Sequence, residues 1–134
     1  MRRLLPFILS LAVACGSDSS TQPNATPASL AGTWNLQTIN GAALPFTLLQ
    51  TPKTELLSDV VTAVAAGTYT ELSQVRTTLN GQVTVSTESD GGTYTITGNT
   101  VTIRSTDGST ALGTVNGNLF TIAAGGISFE YKKQ

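Results

Sequence analysis

The chain has 134 residues, of which 11% are charged and 6% aromatic, and a formal net charge of −1. That length suits one domain, and a near-neutral chain without a basic cluster argues against nucleic acid and against electrostatic binding to anionic lipid. There is no histidine and a single cysteine, which excludes an intrachain disulfide, a histidine metal site and Ser-His nucleophilic catalysis.

Met1-Arg2-Arg3 is a positive start, and residues 4–13 are an apolar run. Ten residues rise only about 15 Å as a helix, half the hydrocarbon thickness of a bilayer. The run therefore reads as the apolar part of a signal peptide, residues 1–14, rather than a membrane span. It ends in Leu11-Ala12-Val13-Ala14-Cys15. This segment resembles a bacterial lipoprotein signal, in which the cysteine after small residues receives a diacylglycerol thioether and becomes the new N-terminus. The resemblance implies lipid attachment at Cys15, contact with the membrane through that anchor, and residence in the bacterial cell envelope. Gly16-Ser17, with no aspartate directly after the cysteine, resembles the pattern of lipoproteins sent to the outer membrane, on its periplasmic or surface face. One rival stays open. The leucine usual three residues before the cysteine sits one residue earlier, and Ala12-Val13-Ala14 also fits ordinary signal peptidase, which would cut the same bond and leave a secreted thiol.

Residues 16–29 contain no large apolar side chain. Such a segment cannot offset its ordering entropy by burial, so residues 15–29 are expected to form a lipidated, disordered tether spanning roughly 20 Å. The folded domain is expected over residues 30–134. It is rich in threonine, which occurs 23 times in the chain and, being β-branched and polar, suits the solvent side of a sheet.

In chain order, Gly32-Thr33-Trp34-Asn35-Leu36 puts Trp34 and Leu36 on one face of a first strand, and Asn40-Gly41 turns it. A second strand is expected through Phe46 to Leu49, confined by Pro45 to an edge or an irregular start. Residues 51–66 leave two readings open. Leu56, Leu57, Val60, Val61 and Val64 recur at helical spacing, with Thr51-Pro52 as a start and Gly67 as a stop, so one short helix within 52–66 is one reading. The β-branched Val60-Val61-Thr62 and both flanks favour the other, a strand ending at Ala65-Ala66-Gly67. A long strand over 68–79 points Tyr69, Val75 and Leu79 inward. Asn80-Gly81-Gln82 reads as a three-residue loop pairing Leu79 with Val83 and Thr77 with Val85, and residues 86–91 as a polar connection.

Two hairpins follow. A two-residue loop at Gly98-Asn99 pairs Thr97 with Thr100, Ile96 with Val101 and Tyr94 with Ile103, so the large residues share a face. The same register pairs Val115 with Phe120 and Gly113 with Ile122. In the last strand Ile127, Phe129 and Tyr131 face one way. Pairing it with the Trp34 strand would close the sheet and remove an aggregation-prone edge. The chain is thus expected to be all-β, an antiparallel up-and-down meander of eight to ten short strands closing into a small barrel, with a β-sandwich as the alternative.

Gly-x-Trp in the first strand followed by a meander resembles the lipocalin-like and wider calycin barrels, especially the small lipid-anchored bacterial ones. The resemblance implies that Trp34 closes one barrel end and that a late-strand cation packs on it, for which Arg104 is the loose candidate. It also implies a small apolar ligand held among the inward aromatics Trp34, Tyr69, Tyr94, Phe120, Phe129 and Tyr131. The alternative is a structural or protein-interaction module of the envelope with a solid core and no ligand. The carboxylates are scattered along the chain. Glu88-x-Asp90-Gly91 lacks the further ligands of a calcium loop and reads as a polar turn, and Lys132-Lys133 reads as a solvated end. Neither metal, cofactor nor enzymatic activity is expected.

Overall fold

A computed structural model describes residues 27–134; residues 1–26, which include the expected signal peptide, Cys15 and most of the expected tether, lie outside the described residues. The described chain folds into ten strands: β1 (Gly32–Ile39), β2 (Ala42–Ala43), β3 (Phe46–Gln50), β4 (Lys53–Val64), β5 (Thr68–Leu79), β6 (Gln82–Thr97), β7 (Thr100–Ser105), β8 (Thr110–Asn116), β9 (Leu119–Ala124) and β10 (Ile127–Lys133). Strands β4 to β10 pair antiparallel in sequence order, and β1 closes the ring by pairing with both β10 and β4. Eight strands form the barrel, and β2 and β3 are edge strands laid against β1 and β4.

The turn chemistry and the alternation fix much of this. Asn40-Gly41 and Asn80-Gly81 both hold positive φ at their two residues (50° and 79°, 50° and 77°), the primed turn whose twist matches that of the flanking strands. The pairs Ile96 with Val101 and Tyr94 with Ile103 form as the sequence predicts, as do Val115 with Phe120 and Gly113 with Ile122. Glycine is needed at Gly113, because a Cβ there would run into the Thr121 carbonyl oxygen and stand 3.1 Å from the Phe120 ring.

Within residues 52–66 the chain forms strand β4 from Lys53 to Val64, not helix. The register of β4 against β5 slips between Leu56 and Ser58. This β-bulge shifts the inward phase by one residue, so Leu56 points in before it and Asp59, Val61 and Ala63 point in after it; all four are buried. A period of two interrupted once reads as a period near 3.6, which explains the helical spacing. A second bulge, in β1 between Leu36 and Thr38, brings Ile39 onto the same face as Leu36.

Two further expectations fail on the β5–β6 hairpin. The loop is the two-residue Asn80-Gly81 turn, so Leu79 pairs with Gln82 and Thr78 with Val83. Val83 and Val85 consequently face out, at 61% and 55% exposure, and Leu79 is 56% exposed despite its inward phase. Residues 86–91 are not a connection but the middle of β6, paired with β5 from Gln82 to Thr93. Their backbone ladder is complete on the β5 side, so no apolar face is required to hold them. β7 pairs only with Gly92 to Thr97. The sheet of β3, β4, β5 and β6 therefore runs on past the barrel wall, and among the described residues β6 leaves a free edge from residue 82 to about residue 90.

The core lies at the barrel end where β1 begins. Leu30, Trp34, Val101 and Phe120 are completely buried there and Val115 nearly so, each such side chain contributing about 1.5–3 kcal/mol by burial. Ala28 packs against this cluster from outside the strands.

Candidate functional site

Two regions of the barrel interior differ in kind. The first is the plug. Trp34 meets Phe120 edge-to-face at 5.7 Å, and Phe120 stacks obliquely on Tyr131 at 5.6 Å, both favourable aromatic separations. Trp34 Nε1 donates to the Leu30 carbonyl at 2.7 Å, so the segment before β1 is fastened across the end. The cation on the tryptophan is Lys133, whose Nζ lies 5.4 Å from the ring centroid, within cation–π range. Arg104 is not the partner, and Lys133 is not a solvated tail. Gly32 makes the approach possible: its φ is +133°, and a Cβ there would meet the Lys133 side chain at 2.6 Å.

The second region is a cavity of about 150 Å³. Val61, Ile103, Ala111, Ile122 and Phe129 form its apolar walls. Tyr69, Tyr131, Ser105 and Glu71 also line it. Ser105, Ala111 and Phe129 sit near the strand ends furthest from Trp34, which places the space toward the rim opposite the plug. Of the six inward aromatics, Tyr69, Phe129 and Tyr131 reach the cavity, while Trp34 and Phe120 belong to the plug. Tyr94 is half-buried and donates to the Val64 carbonyl at 2.6 Å, at the wall rather than in the space. Tyr69 shares a hydrogen bond of 3.0 Å with Ser105.

The carboxylates that look scattered in sequence converge here. β4 and β5 carry Asp59 and Glu71 on the inward face, and Asp90 of β6 pairs directly with Glu71 in the ladder. Asp59 is only 4% exposed. It accepts from the Tyr131 hydroxyl at 2.6 Å and from the Ser73 hydroxyl at 3.1 Å. Burial, and then the charge of Asp59, push the Glu71 carboxyl up to about 8, so that near neutral pH it is protonated and can donate to Asp59. Burial, with the Asp59 charge second, raises the Tyr131 phenol far above its usual value, so it stays a neutral donor. Burial also raises Tyr69 and Tyr94.

A third charged group faces outward. Glu55 meets Lys53 at 2.9 Å and Arg76 at 2.8 Å. It is covered by those two long side chains rather than by the core, and hydrogen bonding to Lys53 and then to Arg76 lowers its carboxyl below the usual range. Among the described residues, no three His, Cys, Asp or Glu side chains are grouped to hold a metal ion. Glu88 and Asp90 stand in β6 rather than in a turn.

A closed, eight-stranded up-and-down barrel, plugged at one end by a tryptophan under a cation and hollow toward the other, defines a calycin-type architecture. The family model described as a lipocalin-like domain matches residues 30–123, and the chain belongs to that family. No curated protein matches the sequence.

Proposed function

We propose that the protein is a lipid-anchored binding barrel of the bacterial envelope that encloses one small, mainly apolar ligand. The observation that carries the reading is the cavity of about 150 Å³ behind the aromatic plug. Apolar cavities of this size accept a single molecule about as large as benzene, and the space is well below the roughly 300 Å³ at which pockets for drug-sized ligands begin. The occupant is therefore small. The anchor is placed at Cys15 and the location at the outer membrane; the signal-like residues 1–15 support both. The reading assigns the protein no catalytic step.

Titration with toluene tests the cavity. Toluene should raise the Tm of the wild type in a saturable way, and Ala111→Phe, which fills the space from β8, should abolish that shift while the far-UV spectrum stays that of a β protein. No shift in the wild type, or an undiminished shift in Ala111→Phe, would overturn the reading. Native mass spectrometry of protein from its own host should show a co-purifying small molecule. The anchor has its own test: fatty-acid labelling should disappear in Cys15→Ser, and labelling that survives removes the thioether. The free edge of β6 favours a second reading, an envelope interaction module, which gains if the protein binds no small molecule yet captures an extended peptide there.

A further inference from the structure

The cavity is lopsided in charge. Glu71 lines it, Asp59 lies behind Glu71, and Asp90 is its ladder neighbour on β6. The groups that face Glu71 from each packed element are Asp59 from β4, Tyr69 from its own strand, Asp90 from β6 and Tyr131 from β10; none can carry positive charge. Of the cations on these strands, Lys53 and Arg76 are paired with Glu55 on the outer face, Lys132 is exposed, and Lys133 lies over Trp34. Asp59 has two hydroxyl donors. Glu71 has no cationic partner among the described residues, and it stands where a molecule in the cavity would touch it.

We propose that the cavity selects a small organic cation, its apolar body of about benzene size seated among Val61, Ile103, Ile122 and Phe129 and its ammonium or amidinium head on the Glu71 carboxyl beside Asp59. This rests on the reading of the cavity as a ligand site and adds the charge of the ligand. A cation supplies the countercharge that the barrel interior omits, and charge-assisted hydrogen bonds to a carboxylate are the strong ones. Entry of the cation displaces the proton that Glu71 holds, so binding releases a proton below about pH 8 and tightens as pH rises toward that value.

Benzamidine, benzamide and benzoate are near-isosteric and differ in charge, and toluene reports on the apolar space alone. Calorimetric titration of the full chain as its host produces it, at pH 6 and pH 9, compares the four; benzamidine remains cationic throughout. At pH 9 benzamidine should bind at least about tenfold more tightly than benzamide, the size of one charge-assisted hydrogen bond, and benzoate should bind worst. Benzamidine affinity should fall at least about tenfold on going to pH 6, where the heat of binding should vary with the ionisation enthalpy of the buffer as proton release requires. Glu71→Gln should erase both the preference and the pH dependence, and a far-UV spectrum and cooperative melt like those of the wild type show that the variant is folded. Equal binding of benzamide and benzamidine, or a preference kept in Glu71→Gln, overturns the proposal and leaves the cavity reading standing. So does toluene binding without benzamidine binding. Failure of all four compounds overturns both.

Discussion

The fold disfavours charge on the Glu71 carboxyl, and this gives stability a definite pH dependence. Its folded value of about 8 lies above the ordinary 4.5, so the folded state holds a proton that the unfolded state gives up. The stabilising contribution is complete below about pH 4.5 and is lost as pH rises through about 8. The wild-type Tm should fall between pH 5 and pH 8, and Glu71→Gln should flatten that slope and be the more stable protein at pH 8. A wild-type Tm that rises over this interval would remove the protonated state. Glu71 was within reach of the sequence, since it shares the inward phase of Tyr69 and Val75. Asp59 was not, because the bulge before it reverses the phase of its strand. Lys133 was hidden in a different way: a lysine one residue from the chain end looks solvated unless Gly32 is recognised as the opening that lets it lie on Trp34.

At the scale of elements, the hairpins with complete alternation were readable residue by residue, because a slipped register would turn every large side chain to water. The strands that the sequence left unclear are those where that penalty is absent or interrupted. β4 contains an extra residue, and β6 over 82–91 has no face to bury. On β5–β6 the choice lay between matching apolar residues across the turn and satisfying Asn80-Gly81 as a two-residue loop. With no core beneath the overhang, backbone twist decided, and Val83 and Val85 were left outside. Deletions in β4 test the bulge. Removing Leu57 leaves Leu56 opposite Val75 and Ser58 opposite Gln74, so that variant should fold, with a modest loss in Tm. Removing Thr62 pushes Ala63 out of phase with Val61 and should cost several kcal/mol, as multiple buried groups are exposed. Equal tolerance of the two deletions in thermal melts would sink the assignment.

For the whole molecule, closure depends on β1, which holds β10 on one side and β4 on the other. Resistance to opening should therefore be uneven. Hydrogen exchange should be slowest in β1, β7 and β9 around Trp34, Val101 and Phe120. It should be fastest for those amides between residues 82 and 90 that point away from β5. Equal protection along both edges of β6 would mean that the edge is covered in solution. The barrel, the registers of the β6–β7 and β8–β9 hairpins and the tryptophan end were legible from turns, alternation and Gly-x-Trp. The hollow and its acidic wall were not, since they depend on which residues meet after the sheet has curled.

The bond from the Trp34 indole to the Leu30 carbonyl has a directional consequence. The chain enters the fold beneath the plugged end, and the cavity lies toward the other rim. An anchor at Cys15, as proposed, would therefore hold the base of the cup and leave the brim and the long β3–β6 tongue on the far side. A molecule diffusing in from that side would meet the opening before it met such an anchor.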